Sequence, residues 1–145
     1  MHRVVPWPEF YASVNERTRL VVLSTVNYAT GFRLPLEEIS RFLAGRGVLL
    51  YLDGTQSVGA LEFDVRRVRP AVLCVDAYKW MLSPNGAGFV YVAPEVRERL
   101  AVTVVGWRTD RDWRQVNHLN HGAPVLAMPP RSTRAGGWYF RRYTP

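Results

Sequence analysis

Lys79 is the only lysine among the 19 Lys and Arg residues of this 145-residue sequence. It stands between two aromatic residues, Tyr78 and Trp80, just after the apolar run "AVLCVD". Either basic residue can supply a surface charge. Only lysine has an amine that can lose its proton and form an imine with an aldehyde, because the guanidinium stays protonated at any working pH. The pattern therefore favours the hypothesis of covalent chemistry at Lys79.

Other polar side chains also follow apolar runs. Two of these runs end on an aspartate, Asp53 and Asp76, and Gln56 and Lys79 each lie three residues further along. In an open parallel sheet, ligands bind beyond the carboxyl ends of the strands, so these groups predict a ligand site there. The alternative is that both aspartates only cap turns, since Asp-Gly is a common turn pair.

Four apolar segments predict the strands that position these groups, at residues 20–25, 48–53, 71–76 and 88–92. Each is too short for a helix and most are rich in Val and Leu, which is typical of buried strands. A helix is predicted in "LPLEEISRFLAGRG", with Pro35 in its first turn and Gly45 and Gly47 at its end. Glu37 is expected to pair with Arg41 one turn later.

The order strand, helix, strand, connector, strand predicts an α/β fold with a mostly parallel sheet. About eleven residues separate Asp76 from Gly88, which is the lower limit for a parallel crossover, and they show no helical pattern. The fourth strand is therefore predicted to run antiparallel to the third. A short helix opened by Pro94 follows, with Val96 and Leu100 expected on one face.

Three segments, "VNYATGFRLPLEEI", "LDGTQSVGALEFDV" and "VDAYKWMLSPNGAGFVYV", occur in this order between about Asn15 and Val92. Together they resemble the central large-domain part of the class V aminotransferase family of fold-type I pyridoxal phosphate (PLP) enzymes. This family includes cysteine desulfurases, isopenicillin N epimerase-like proteins, kynureninase and serine–glyoxylate aminotransferases. The resemblance implies a fragment of a three-layer α/β/α large domain, PLP as cofactor, an amino acid as substrate, and a homodimer.

The resemblance also implies roles for matching residues. Asp53 corresponds to the carboxylate that pairs with the protonated pyridine nitrogen, Gln56 to the donor to the phenolic oxygen, and Lys79 to the Schiff-base lysine. Tyr78 is expected to donate a hydrogen bond to the phosphate, as the matching tyrosine does in kynureninase-like members. Asp76 replaces a phosphate-binding serine of many relatives, and because an ionised carboxylate repels phosphate, we expect it to face elsewhere.

Residues 1–100 are expected to form a partial PLP-binding large domain, and residues 101–145 an irregular tail that leads towards a missing small domain. The family's phosphate loop and substrate-binding arginine have no counterpart in the sequence. Two functions stay open: a PLP-dependent enzyme that acts on an amino acid, and a catalytically incomplete fragment that binds PLP weakly or needs partner chains. In either case we expect exposed apolar surface and self-association.

Composition adds a third alternative. The net charge of +7 permits a basic nucleic-acid-binding module, but the arginines are scattered and no zinc-finger or aromatic-basic RNA signature accompanies them. His118 and His121 lack a third ligand at a metal-binding spacing, so no metal site is predicted. Cys74 lies in an apolar strand and is interpreted as a core residue. A single cysteine and the lack of a membrane-length apolar run favour the cytoplasm.

Overall fold

The computed structural model describes residues 6–101 of the chain. After a 3₁₀ turn at Trp7–Glu9, its elements are, in chain order, α1 (Phe10–Ser13), β1 (Leu20–Ser24), α2 (Leu36–Ala44), β2 (Leu49–Asp53), α3 (Val65–Val68), β3 (Val72–Asp76), β4 (Gly88–Val92) and α4 (Pro94–Arg97). Most of the tail predicted over residues 101–145 lies outside the described residues, as do His118 and His121. No helix within residues 6–101 is long and apolar enough to cross a membrane.

The four strands form one sheet in the order β1-β2-β3-β4. The β1–β2 and β2–β3 pairs are parallel, and the β3–β4 pair is antiparallel. Each strand agrees with its predicted segment to within a residue at either end. The predicted α/β fold with one antiparallel strand at 88–92 is therefore confirmed.

The core lies on one face of this sheet. Side chains alternate between the faces of a strand, so Leu50 and Leu52 of β2 point the same way as Leu73 of β3. They pack against Ile39 and Leu43 of α2, and all five residues are at most 3% exposed. Burying a side chain of this size contributes roughly 1.5–3 kcal/mol, so this contact holds α2 against the sheet.

The ends and charges of α2 differ in detail from the prediction. Pro35 is the N-cap residue and lies just outside the first turn. The Glu37 carboxylate pairs with Arg67 of α3 at 2.7 Å. The Arg41 Nε instead donates to the main-chain carbonyl of Glu37 at 3.3 Å. The expected Glu37–Arg41 pair was therefore wrong, because α3 brings a second arginine within reach of the same carboxylate.

The prediction for α4 was correct at its start and wrong at its end. Pro94 opens the helix, and Val96 is buried against Ala71 and Ala93. Leu100 is 58% exposed, however, because the helix ends at Arg97 before it can carry Leu100 round to the buried side.

The second face of the sheet is not covered by any helix in the part of the chain that the structure describes. Leu20, Val22 and Leu49 lie on this uncovered face, and Val22 is 61% exposed. Near the carboxyl ends of the strands the uncovered face becomes polar, and that end of it forms the candidate site.

Candidate active site

A concave groove of about 920 Å³ lies on the uncovered face, at the carboxyl ends of the parallel strands. Its polar and glycine lining residues are Ser24, Tyr51, Asp53, Thr55, Cys74, Asp76, Tyr78, Asn85, Gly86 and Gly88. The volume is in the range of small-molecule sites, and the position is the one at which open α/β sheets bind ligands. A groove therefore lies where the sequence predicts a ligand site, and the binding of a ligand there stays a prediction.

Asp53, the last residue of β2, supplies a carboxylate to this groove. Its Oδ1 accepts a hydrogen bond from the Thr55 main-chain N–H at 2.9 Å, which fixes the side-chain direction. Among the described residues the Asp53 carboxylate has no other hydrogen-bond partner and no basic side chain in ion-pair contact. Its second oxygen is therefore open to a positively charged nitrogen of a ligand.

Two residues with buried hydroxyl groups, Thr25 and Ser57, form hydrogen bonds to the turn after Asp53. Thr25 and Ser57 are 1% and 4% exposed, and their oxygens lie 2.6 Å apart. The Thr25 N–H donates to the Asp53 carbonyl at 2.9 Å, and the Ser57 hydroxyl donates to the Gly54 carbonyl at 3.2 Å. These bonds fix the turn that carries Gln56.

The structure brings only some of the predicted residues into the groove. Asp53 and Tyr78 line it, whereas Gln56 and Lys79 are not among its lining residues. Lys79 is half-buried, and its Nζ lies 5.6 Å from the centroid of the Tyr78 ring, within the range of a cation–π contact. The amine thus lies near Tyr78, a residue of the groove wall. The predicted roles of these four residues stay predictions.

The loop that carries Lys79 closes on itself after β3. The Ser83 N–H donates to the Ala77 carbonyl and the Leu82 N–H donates to the Lys79 carbonyl, both at 3.1 Å. Leu82 adopts a φ of 53°, which is unusual for a residue with a bulky side chain. Backbone strain of this kind is held in place by surrounding contacts and clusters at functional sites.

Gly59 packs the turn after β2 directly against this loop. A Cβ on Gly59 would lie 2.8 Å from the carbonyl carbon and oxygen of Trp80 and 2.9 Å from the nitrogen of Met81. The φ of Gly59 is also positive, at 100°. Only glycine permits this approach of two backbones, next to Lys79 in sequence.

The expectation that the Asp76 carboxylate faces away from a bound phosphate stays a prediction, but Asp76 itself lines the groove together with Asp53. The reason is the pleat of the sheet: Asp53 pairs with Cys74, and Asp76, two residues on, projects to the same face. The two aspartates are the charged residues among those that line the groove.

Cys74 also lines the groove and is only half-buried, so its interpretation as a core residue was wrong. The Tyr51 hydroxyl donates to the Cys74 Sγ at 2.8 Å. This hydrogen bond, together with burial and the nearby charge of Asp53, raises the pKa of Tyr51 to about 12. Tyr51 therefore stays a neutral hydrogen-bond donor in the floor of the groove at physiological pH.

The fold is that of an α/β protein with a groove beyond the carboxyl ends of its parallel strands. Residues 2–125 match the profile of the family described as Aminotransferase class-V, and the chain belongs to this family. It is 35% identical over 96 residues to isopenicillin N epimerase of Streptomyces clavuligerus, covering 66% of this chain and 24% of that protein. It is 37% identical over 103 residues to cysteine desulfurase IscS of an Anaeromyxobacter species, covering 71% of this chain and 25% of the relative.

Solved structures are similar in the same way. The cystine C–S lyase C-DES, in complex with its reaction product cysteine persulfide, superimposes with a TM-score of 0.66 at 32% identity, over 70% of this chain and 28% of that chain. A lysine-to-alanine mutant of C-DES with glycine covalently linked to its PLP cofactor gives a TM-score of 0.66 at 30% identity, over 70% of this chain and 27% of that one. The chain thus spans about a quarter of the length of the relatives it matches.

The described residues fit part of a PLP molecule. Asp53 has a carboxylate oxygen without a hydrogen-bond partner among the described residues, which suits a protonated ring nitrogen, and Tyr78 supplies a phenol to the groove wall, whereas Gln56 and Lys79 lie outside the lining. The phosphate has no cation among the lining residues, whose charged members are carboxylates. The fit is therefore confined to the ring nitrogen and the phenol of Tyr78, and is incomplete at the phosphate.

Gly59→Ala should destabilise the chain much more than Gly47→Ala. Both glycines have a positive φ, but a Cβ on Gly47 has no neighbour within 4 Å. Gly47→Ala should lower the free energy of unfolding by about 1–2 kcal/mol, the cost of a left-handed conformation. Gly59→Ala adds the overlap with Trp80 and Met81, for a total of roughly 2–5 kcal/mol. Urea denaturation measures both, and equal losses would show that the two loops are not in close contact.

Proposed function

We propose that this chain is the cofactor-binding core of a PLP-dependent enzyme that acts on an amino acid, with Lys79 as the covalent anchor. The observation that carries the proposal is the Asp53 carboxylate, which is fixed at the end of β2 with one oxygen open to the groove. The only lysine of the sequence lies just beyond the neighbouring strand, with its amine over the Tyr78 ring. Asp53, Tyr78 and Lys79 are thus grouped at one edge of the sheet.

Asp53 would act by charge. A carboxylate next to the pyridine nitrogen favours the protonated form of that nitrogen, because opposite charges in contact stabilise each other. PLP, when bound, supplies a ring that withdraws electrons from the Cα of an amino acid. The Thr55 N–H keeps the Asp53 carboxylate aimed into the groove, so its charge is placed before the ligand arrives.

Lys79 would act as nucleophile and as proton carrier. Its amine makes no ion pair with a carboxylate of the described residues, so no salt bridge has to break before the amine reacts. Tyr78 orients the amine and would donate its phenol hydrogen to the phosphate. Gln56, which follows Thr55 in the same turn, would reach the phenolic oxygen of the ring once the groove is filled.

Two observations favour a second candidate function. In this alternative the chain is a catalytically incomplete fragment that binds PLP weakly or needs partner chains. The chain spans about a quarter of its relatives, and Asp53 and Asp76 are the charged residues that line the groove. Two carboxylates repel a phosphate dianion, so tight binding needs cations from outside the described residues.

We also propose the cytoplasm as the compartment of this chain, supported by its single cysteine.

Absorbance titration with PLP tests the first proposal on the full 145-residue chain. Lys79→Arg should abolish the lysine-dependent absorbance change, because arginine keeps the charge but cannot react with the aldehyde. Asp53→Asn should weaken binding by about tenfold or more, the usual effect of losing a hydrogen bond to a charged group.

Asp76→Asn is the matched control for Asp53→Asn, since it removes the other carboxylate of the same groove. It should leave PLP affinity unchanged or increase it, because a charge that repels phosphate is lost. Equal losses in the two asparagine variants would contradict the specific role of Asp53. An unchanged spectrum in Lys79→Arg would contradict covalent binding at Lys79.

We also propose that the chain self-associates as a homodimer through the end of its uncovered sheet face that lies away from the groove, where Leu20 and Leu49 are exposed and paired across β1 and β2. Contiguous apolar surface of this kind marks interaction sites in soluble proteins. Leu20→Glu should shift the chain towards monomer in sedimentation velocity, because the glutamate would have to be buried in the contact. Leu100→Glu, at a similarly exposed position beyond α4, should not. A wild-type chain that sediments as a monomer would refute this proposal.

A further inference from the structure

We propose that Thr55 is a positioning residue whose hydroxyl ties the turn that carries Asp53 and Gln56 to the loop that carries Lys79. This role matters for PLP binding only if the proposed function is correct. The geometry itself is given by two hydrogen bonds of Thr55, one with Asp53 and one with Asp76. Thr55 received no role from the sequence, since its partner lies 21 residues away.

The hydrogen bond between the Thr55 hydroxyl and the Asp76 N–H replaces a main-chain hydrogen bond that is absent at the end of the β2–β3 pair. The β2–β3 ladder reaches the Gly54 N–H, which donates to the Cys74 carbonyl at 2.8 Å. In a parallel pair every second residue of β3 bonds to β2, so the next amide that faces β2 belongs to Asp76. The Gly54 carbonyl cannot accept it, because it already accepts from Ser57 and Val58 as the chain turns away.

The Thr55 hydroxyl takes the place of that carbonyl. Its Oγ1 accepts the Asp76 N–H at 3.1 Å. The same residue donates its own N–H to the Asp53 Oδ1 at 2.9 Å. Thr55 therefore makes two hydrogen bonds. Its main-chain N–H bonds Asp53, the proposed partner of the pyridine nitrogen, and its side chain bonds the end of β3. No other residue within 6–101 makes hydrogen bonds to both Asp53 and Asp76.

The position of Lys79 depends on this bond. Lys79 follows Asp76 by three residues in a loop that is closed mainly by its own bonds and by those to Ala87. Two contacts link the Lys79 loop to the turn after β2. The Thr55 hydroxyl bonds Asp76 at the start of the loop, and Gly59 packs against Trp80 further along it. Without the hydroxyl the end of β3 loses this hydrogen bond to the turn after β2, and the loop that begins three residues before Lys79 is held less firmly against that turn.

Three variants of the full chain test the proposal. Thr55→Val removes the hydroxyl and keeps the branched side chain, and Thr55→Ser keeps the hydroxyl. Thr18→Val is the matched control, because the Thr18 Oγ1 also accepts a main-chain N–H at 3.1 Å, that of Asn15, away from the groove. The readouts are amide hydrogen exchange of Asp76 and of residues 77–83, and PLP affinity from absorbance titration.

In Thr55→Val the Asp76 amide should exchange roughly five- to tenfold faster, and PLP should bind more weakly by a similar factor, the usual effect of one lost hydrogen bond. Thr55→Ser should stay within about twofold of the wild type on both measures. Thr18→Val should change neither. If Thr55→Val does not fold, Thr55→Ala takes its place with the same readouts.

Unchanged exchange at Asp76 in Thr55→Val would overturn the proposal. Faster exchange with unchanged PLP affinity would overturn it too, since the bond would then be structural only. A wild-type chain that takes up no PLP would refute the proposed function. The exchange rates of the Lys79 loop would in that case decide alone whether Thr55 joins the two loops.

Discussion

The parallel pairing of β2 with β3 is the constraint on which the rest of the structure depends. Its register sets Asp53 beside Cys74, so that the carboxyl ends of both strands, and the turns that follow them, open on one side of the sheet. A slip of one residue would move Asp53 to the face covered by α2, because side chains alternate along a strand. The same register leaves the Asp76 amide without a main-chain acceptor, and the Thr55 hydroxyl fills that position.

The two segments that follow β2 and β3 differ in how firmly they are packed. The turn that carries Gln56 rests on the buried Thr25–Ser57 pair and on the main-chain bonds of Gly54. The loop of Lys79 is more exposed, at Trp80, Met81 and Leu82, and its ties to that turn are the Thr55 hydrogen bond to Asp76 and the close approach of Gly59 to Trp80. The buried turn therefore serves as the support against which the exposed loop is held.

Much of the fold could be predicted from the sequence, because it depends on local patterns. Short apolar runs gave the strands, and the short connector before Gly88 gave the antiparallel strand. The site was less accessible. Glu37 pairs with Arg67 and not with Arg41 because α3 packs against α2, which no local spacing reveals. Cys74 was misplaced because a run of apolar residues does not show which face of the sheet stays uncovered.

The proposed role of Lys79 as the covalent anchor of PLP can be checked by identifying the residue that PLP modifies. The chain offers an unusually clear assay, since its amines are the ε-amine of its only lysine and the amino terminus. The full chain would be incubated with PLP, reduced with borohydride, digested and mapped by mass spectrometry. If Lys79 is the anchor, the pyridoxyl group will be found on the peptide that contains Lys79, in large excess over the amino terminus. Labelling of Lys79 no stronger than that of the amino terminus would contradict it.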